Sequence, residues 1–189
     1  MYNINSPCST NSYCSYYSSC DENRGKTGKR GKQGIQGIQG IPGIPWIPGI
    51  INISNFYSLM PPNNSSTIAI GAPINFNQDG PTNNSDITRI SASTFNLASI
   101  GLYEIIFQVS INEAAQLVIN INSTELDYTV VGRATGTNQI IGISIISTNI
   151  PNSIISINNP TGSAGALTIT PNAGGIKAVS ANLIIKKYG

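Results

Sequence analysis

The 189-residue sequence predicts an all-β protein: a C-terminal jelly-roll head that trimerises, preceded by a short collagen-like triple-helical stalk and an extended, cysteine-rich N-terminal segment. Three observations lead to this prediction. Glycine occupies every third position from Gly25 to Gly43, apolar and polar residues alternate in several stretches after residue 50, and all three cysteines lie within the first 20 residues. We therefore divide the chain into a connector (1–24), a stalk (25–49) and a head (50–189).

The N-terminal connector contains the cysteines, Cys8, Cys14 and Cys20. An odd number of cysteines in a chain that trimerises favours disulfide cross-links between subunits, either within one trimer or between successive trimers. Free thiols in a disordered tail are the alternative interpretation. A zinc site is disfavoured, because the spacing matches no common ligand pattern and the chain has no histidine. The tyrosines and Ile4 of this segment would let it add to an exposed sheet edge of a neighbouring subunit.

The glycine repeat of the stalk predicts a homotrimer, because three polyproline II chains wound together leave no room for a side chain at their common axis. The residues assigned to that axis are Gly25, Gly28, Gly31, Gly34, Gly37, Gly40 and Gly43. Where the repeat demands the next glycine the sequence has Trp46. We expect a neck there, with Trp46 packed against the head. A triple helix this short and poor in proline is marginal alone, so another part of the chain must hold the three strands in register.

The head is predicted to consist of short strands. Gly101 to Asn112 alternates most clearly, and the residues expected to face the core are Tyr103, Ile105, Phe107, Val109 and Ile111. The same period places three further sets inward: Leu117, Ile119 and Ile121; Ile141, Ile143 and Ile145; and Val179, Ala181, Leu183 and Ile185. Turns are predicted at Asp79-Gly80-Pro81, Gly132, Gly136, Asn158-Asn159-Pro160 and Gly174-Gly175.

These strands indicate a sandwich or barrel, and we favour a jelly roll because that fold packs readily around a three-fold axis. Isoleucine also occurs on both faces of some strands, as at Ile105-Ile106, Ile140-Ile141 and Ile145-Ile146. A monomer would expose the second apolar face, whereas a trimer can bury it between subunits.

No enzymatic activity is expected. The chain lacks histidine, the head lacks cysteine, and its few carboxylates form no convincing pair. No metal or other cofactor is predicted, since the polar run from Asn77 to Asp86 does not match a calcium loop. The basic residues around the start of the stalk, from Arg24 to Lys32, are interpreted as solvating a triple helix, so no nucleic-acid partner is expected. Neither a secretory signal nor a membrane span is predicted.

The head resembles a known family at specific residues. The matching segments are Ile87–Phe95, Gly101–Glu104, Phe107–Ser110, Tyr128–Gly136 and Ala166–Pro171. They are similar to the C-terminal domain of BclA-like collagen-like proteins from the exosporium of Bacillus and related spore formers. The resemblance implies a C1q/TNF-like jelly roll, a tight trimer and a place on the spore surface, reached without a signal peptide.

Two features depart from that family. The stalk is short and has one Gly-X-Thr triplet, at Thr27, so heavy threonine glycosylation is not expected. The connector does not look like the usual exosporium-targeting leader. Together these features favour a structural fibre subunit whose partners are itself, first as a homotrimer and then as stacked trimers, and other spore-coat or exosporium proteins. A tip adhesin that acts as a binding module and a viral or phage fibre protein remain alternatives.

Overall fold

The computed structural model describes residues 25–40, 49–83 and 85–189. The chain divides into two compact units, Met1–Ile44 and Pro45–Gly189. In the first unit, residues 25–40 have no regular secondary structure and every one of them is exposed. The second unit contains all the described strands.

Thirteen strands and one 3₁₀ turn, Asp127–Thr129, make up the described secondary structure of the second unit. In chain order the strands are β1 Ile50–Ser58, β2 Thr67–Ile68, β3 Gln78–Thr82, β4 Ile87–Arg89, β5 Phe95–Leu97, β6 Gly101–Ile111, β7 Ala115–Ile121, β8 Thr124–Glu125, β9 Val131–Arg133, β10 Asn138–Thr148, β11 Ser153–Asn158, β12 Leu167–Thr168 and β13 Ala181–Tyr188. No helix of the described residues is long and apolar enough to cross a bilayer.

The strands form two main sheets. One has five strands in the order β10-β6-β13-β1-β3, and the other has the order β4-β5-β11-β7-β8, with β9 also pairing with β7. A small ladder joins β12 to β2. The ladders are antiparallel, and the longest joins β10 to β6 along all 11 residues of each. β6 and β10 of the five-stranded sheet are followed in the chain by β7 and β11 of the other sheet, so the chain crosses repeatedly between the two layers.

The core lies between the two sheets. Tyr103, Ile105, Phe107, Val109 and Ile111, the inward residues predicted for β6, are each at most 1% exposed. Burying a side chain of this size contributes about 1.5–3 kcal/mol to stability. The predicted inward face of β6 is therefore confirmed. In β13 the prediction is confirmed for Ala181, Leu183 and Ile185, which are buried, whereas Val179 precedes the strand and is only partly buried.

An aromatic cluster links the sheets inside this core. The ring of Phe95 lies 4.5 Å from that of Phe56 and 6.1 Å from that of Phe76. Phe56 belongs to β1 of the five-stranded sheet and Phe95 to β5 of the opposite sheet. The contact therefore spans the two layers, and it does so with rings at separations typical of favourable aromatic pairs.

The orientation predicted for the middle of β10 is wrong. Ile141, Ile143 and Ile145 face outward, whereas Ile140 and Ile146 are buried. The alternating pattern is present but its phase is reversed, because Gly142 points inward. A Cβ at Gly142 would overlap the ring of Phe107, so the core has room only for glycine at that point.

Two predicted turns are also wrong. Asp79-Gly80-Pro81 lies inside β3, an edge strand, where a proline is tolerated because its nitrogen can face away from the ladder. Gly132 lies inside β9. In both strands the glycine serves close packing, since a Cβ at Gly80 would collide with the Asn55 side chain and one at Gly132 would come within 2.8 Å of Gln116 Cγ. Gly136 and Gly174, with φ of 74° and 77°, do lie in turns or bends as predicted.

Candidate self-association surface

The outer face of the five-stranded sheet carries an exposed row of isoleucines along its edge strand. Ile141, Ile143 and Ile145 of β10 are 55%, 63% and 57% exposed. β10 is an edge strand and has β6 as its neighbour in the sheet. A long edge strand with an apolar outer face is a favourable surface for association with another chain.

The register extends this apolar surface across three strands. Ile143 of β10 pairs with Ile106 of β6, which pairs on its other side with Ile184 of β13. Directly paired residues of adjacent strands lie on the same face of a sheet, so the three isoleucines form one row across it. Leu102 of β6, which is 52% exposed, lies on the same face. We call this surface, defined by Leu102, Ile106, Ile141, Ile143, Ile145 and Ile184, the isoleucine face.

A charged cluster lies within the isoleucine face, at Glu104, which stands between Leu102 and Ile106 on the outer side of β6. Ile145 pairs with Glu104, and Glu104 pairs with Lys186. Lys186 Nζ donates a hydrogen bond to Glu104 Oε2 at 2.9 Å, and the Tyr188 hydroxyl donates to the same oxygen at 3.2 Å. The hydrogen bond and charge of Lys186 lower the pKa of Glu104, outweighing the opposing effect of burial. Glu104 is therefore ionised and internally paired at neutral pH, so an approaching chain would not have to neutralise it.

The stalk glycines have a different character from the glycines of the head. A Cβ built at Gly25, Gly28, Gly31, Gly34, Gly37 or Gly40 meets nothing within 4 Å, and none of these residues has a positive φ. Neither backbone conformation nor packing within the described chain therefore requires glycine at these positions. The strict three-residue period needs a cause outside the single chain, and close approach of other chains supplies one.

The remaining predicted site residues lie outside the described residues. These are the cross-link candidates Cys8, Cys14 and Cys20, the last axial glycine Gly43, and the neck residue Trp46. Within the described residues, no group of three or more histidine, cysteine, aspartate or glutamate side chains could hold a metal ion. The carboxylate of Glu125 accepts hydrogen bonds from the backbone and side chain of Thr161.

Two functional features were missed by reasoning from the sequence. The Glu104–Lys186 pair joins residues 82 positions apart, and only the register of β6 and β13 brings them together. The sequence did contain a signal for the outward orientation of Ile143, namely the glycine that precedes it. Ile140 and Gly142 lie on the buried side of β10, and Ile143 therefore lies on the exposed side. A glycine within an isoleucine-rich strand marks a close contact and could have set the phase.

Comparisons with known proteins identify the fold. No protein-family model and no curated protein sequence matches the chain. Among solved structures, the Eiger TNF of S. frugiperda is similar with a TM-score of 0.52 at 11% identity, covering 75% of this chain and 94% of that one. Murine APRIL at pH 8.5 is similar with a TM-score of 0.50 at 11% identity, covering 72% of this chain and 98% of that one. The head has a TNF-like jelly-roll fold.

This result confirms the predicted all-β jelly roll. The collagen-like stalk, the cysteine cross-links and membership of the BclA-like family stay predictions. At 11% identity these similarities concern the fold alone, so what the TNF-like head does has to be argued from its own residues.

Proposed function

We propose that this chain is the structural subunit of a spore-surface fibre. Three copies assemble through the isoleucine face and wind residues 25–43 into a short triple helix, and the trimers then stack through their connectors. The observation that carries the proposal is the run of stalk glycines, which occur at every third position although no contact among the described residues requires them. A triple helix is the structure that requires this spacing.

The isoleucine face of the head is a second feature that supports the proposed trimer. A marginal triple helix needs a domain that holds three chains together, and an exposed apolar sheet face whose charge cluster is internally paired is suited to that task. The partner that covers the isoleucine face is therefore a second copy of this chain. The TNF-like jelly roll of the head fits the proposal, because this type of sandwich offers a broad sheet face for packing.

The spore-surface location rests on the resemblance of the head segments, such as Tyr128–Gly136, to BclA-like proteins. Immunogold electron microscopy of spores of the source organism tests it. Label repeated along appendages supports a fibre subunit. Label once at each tip would replace this role with that of a tip adhesin, and label absent from the spore surface would overturn the location.

The trimer is tested by analytical ultracentrifugation of the full chain. We expect a species of three times the 19.9 kDa chain mass. Sedimentation as a monomer at micromolar concentration would contradict the proposal. The same sample, examined by circular dichroism, should show a triple-helix signal that melts separately from the β-sheet signal of the head.

The connector is proposed to supply the covalent cross-links. The sequence has three cysteines, none of them in the head, so a disulfide can form within a connector, between connectors or to a different protein, but never to a head of this chain. Nine cysteines in a trimer are an odd number, so a trimer that pairs its thiols internally leaves at least one for a bond to another trimer or to a coat protein.

Electrophoresis of assembled material with and without reductant tests these cross-links. We expect a ladder of oligomers without reductant that collapses to monomer when reductant is added. The triple variant C8S/C14S/C20S should remain a trimer in the ultracentrifuge but lose the ladder. Migration of the wild-type chain as a monomer without reductant would remove the covalent part of the proposal and leave the trimer intact.

A further inference from the structure

A cleft in the described head lies at the end of the sandwich opposite to the start of β1. Ile50 at the start of β1 pairs with Tyr188, and Tyr103 pairs with Lys187, so these residues mark one end. Ile111 pairs with Asn138 at the other end. The cleft, of about 820 Å³, lies beyond Ile111, between the start of β7, the end of β9 and the loop at 162–166. We call it the distal cleft.

Arg133 presents unused hydrogen-bond donors in the wall of this cleft. Its Nη2 donates to the carbonyl oxygens of Ile111 at 2.9 Å and Glu113 at 2.5 Å, which fixes the guanidinium in place. Among the described residues, its Nε and Nη1 have no hydrogen-bond partner and are shielded from solvent, and the same is true of the Ser163 hydroxyl. A shielded donor without an acceptor is costly, particularly on a charged group. An oxygen-rich ligand would relieve that cost.

Glu113 sets the charge of the cleft. Its carboxylate accepts a hydrogen bond from the Thr168 backbone at 2.9 Å. Burial opposes ionisation, but the hydrogen bonds from Thr168, with a contribution from the charge of Arg133, lower the pKa of Glu113 overall. The charges of Glu113 and Arg133 therefore cancel, and the other residues that line the cleft carry none. A site of zero net charge does not favour an anion over a neutral ligand.

The walls leave space for a ligand with many hydroxyl groups. Apart from Glu113, Gln116, Arg133 and Ser163, the lining residues are small or aliphatic. A volume of several hundred Å³ is typical of sites for small molecules. Sugar hydroxyls both donate and accept, so they can accept from Arg133 and Ser163 while donating to Glu113 and Gln116.

We propose that the distal cleft binds a neutral carbohydrate, with Arg133 as the principal donor and Glu113 as the principal acceptor. Each head contains a complete cleft, so this site does not depend on the proposed trimer. Because the guanidinium of Arg133 is fixed, a ligand reaches the shielded nitrogen atoms when the loop at 162–166 shifts. That loop has room to do so, since a Cβ at Gly162 or Gly165 would meet nothing within 4 Å.

The test is calorimetric titration of the full chain with neutral mono- and oligosaccharides, and with uronic acid and phosphorylated sugars for comparison. We expect a neutral sugar to bind in the millimolar range or tighter. Arg133→Lys keeps the charge but removes the guanidinium donors, and Glu113→Gln keeps the size but removes the charge. Each should weaken binding about 10-fold or more.

Two further variants separate loss of the site from loss of the fold. Gly165→Leu fills the cleft from a position with open space and no positive φ, so it should abolish binding while the melting temperature is kept. Arg89→Lys alters the exposed pair with Asp79, outside the cleft, and should bind like the wild type.

The proposal is overturned if no neutral sugar binds saturably, if Gly165→Leu binds normally, or if charged sugars bind more tightly than neutral ones. Ultracentrifugation of each variant reports on the trimer separately.

Discussion

At the scale of single residues, Gly142 determines which isoleucines of β10 are available to other chains. Its missing side chain accommodates the ring of Phe107, which is 1% exposed. Because successive residues of a strand face opposite sides, fixing Gly142 inward turns Ile141 and Ile143 outward. One close contact in the core therefore sets the chemistry of the outer surface.

Gly142→Ala should lower the free energy of unfolding by about 1–3 kcal/mol, because the new methyl group forces the Phe107 ring or the β10 backbone to move. Denaturant unfolding followed by circular dichroism measures the loss. Gly165→Ala is the matched control: its Cβ enters open space, so we expect no loss of stability. Equal destabilisation by both variants would refute the packing explanation.

Ile143→Asp should dissociate the trimer without unfolding the head. Ile143 is 63% exposed in the single chain, so a carboxylate there is solvated until another copy covers it. Covering an unpaired charge is costly, and we expect association to weaken by about 100-fold or more. Sedimentation equilibrium measures the change. Ile90→Asp serves as the control, because Ile90 is 57% exposed but lies outside the isoleucine face. A trimer that tolerates Ile143→Asp would exclude this face as the interface.

At the scale of elements, the stalk and the strands of the head use glycine for different reasons. In the head, Gly80 and Gly132 lie in strands where a side chain would collide with a neighbour. In the stalk, the described glycines meet no neighbour within the chain. Replacing a stalk glycine should therefore affect the assembly and leave the fold of the head unchanged.

Gly34→Ala should lower the melting temperature of the triple-helix signal and make the stalk sensitive to trypsin, because a methyl group does not fit at the axis. Trypsin has targets at Lys26, Lys29, Arg30 and Lys32, which a triple helix protects. Ile35→Ala, at a neighbouring position that is fully exposed in the single chain, should leave both properties close to those of the wild type. Wild-type stalks that trypsin cuts as fast as the Gly34→Ala variant would argue against a triple helix.

At the scale of the whole molecule, the isoleucine face and the distal cleft occupy separate parts of one head. Glu104 and Lys186 lie on the isoleucine face, whereas the distal cleft lies beyond Ile111. The proposed assembly would cover the isoleucine face and leave the cleft accessible. One head can therefore support a fibre and bind a ligand.

The assembly should be less stable in acid because of Glu104. A carboxyl group whose pKa is lowered by folding contributes stability above its unfolded pKa and loses it as the pH falls through its folded pKa. In the proposed trimer, protonation of Glu104 would also leave the charge of Lys186 unpaired on the covered face, so we expect the trimer to weaken progressively below about pH 4. Glu104→Gln should flatten this dependence in sedimentation measured between neutral and acidic pH. Asp79→Asn alters an exposed pair with Arg89 outside the isoleucine face and should leave the pH dependence of sedimentation unchanged.

The sequence by itself determined the glycine period of the stalk, the all-β head and the inward faces of β6 and β13, because each of these is encoded by a short-range repeat. The tertiary structure decided the phase of β10, the pairing of Glu104 with Lys186 and the meeting of Arg133 with Glu113. These depend on register and on packing between strands far apart in the chain. The local pattern carries no signal for the two pairs, and for β10 its one signal is the glycine at position 142. Composition suggests that the surplus isoleucines serve contacts between chains, and the position of the Phe107 ring explains which of them face outward.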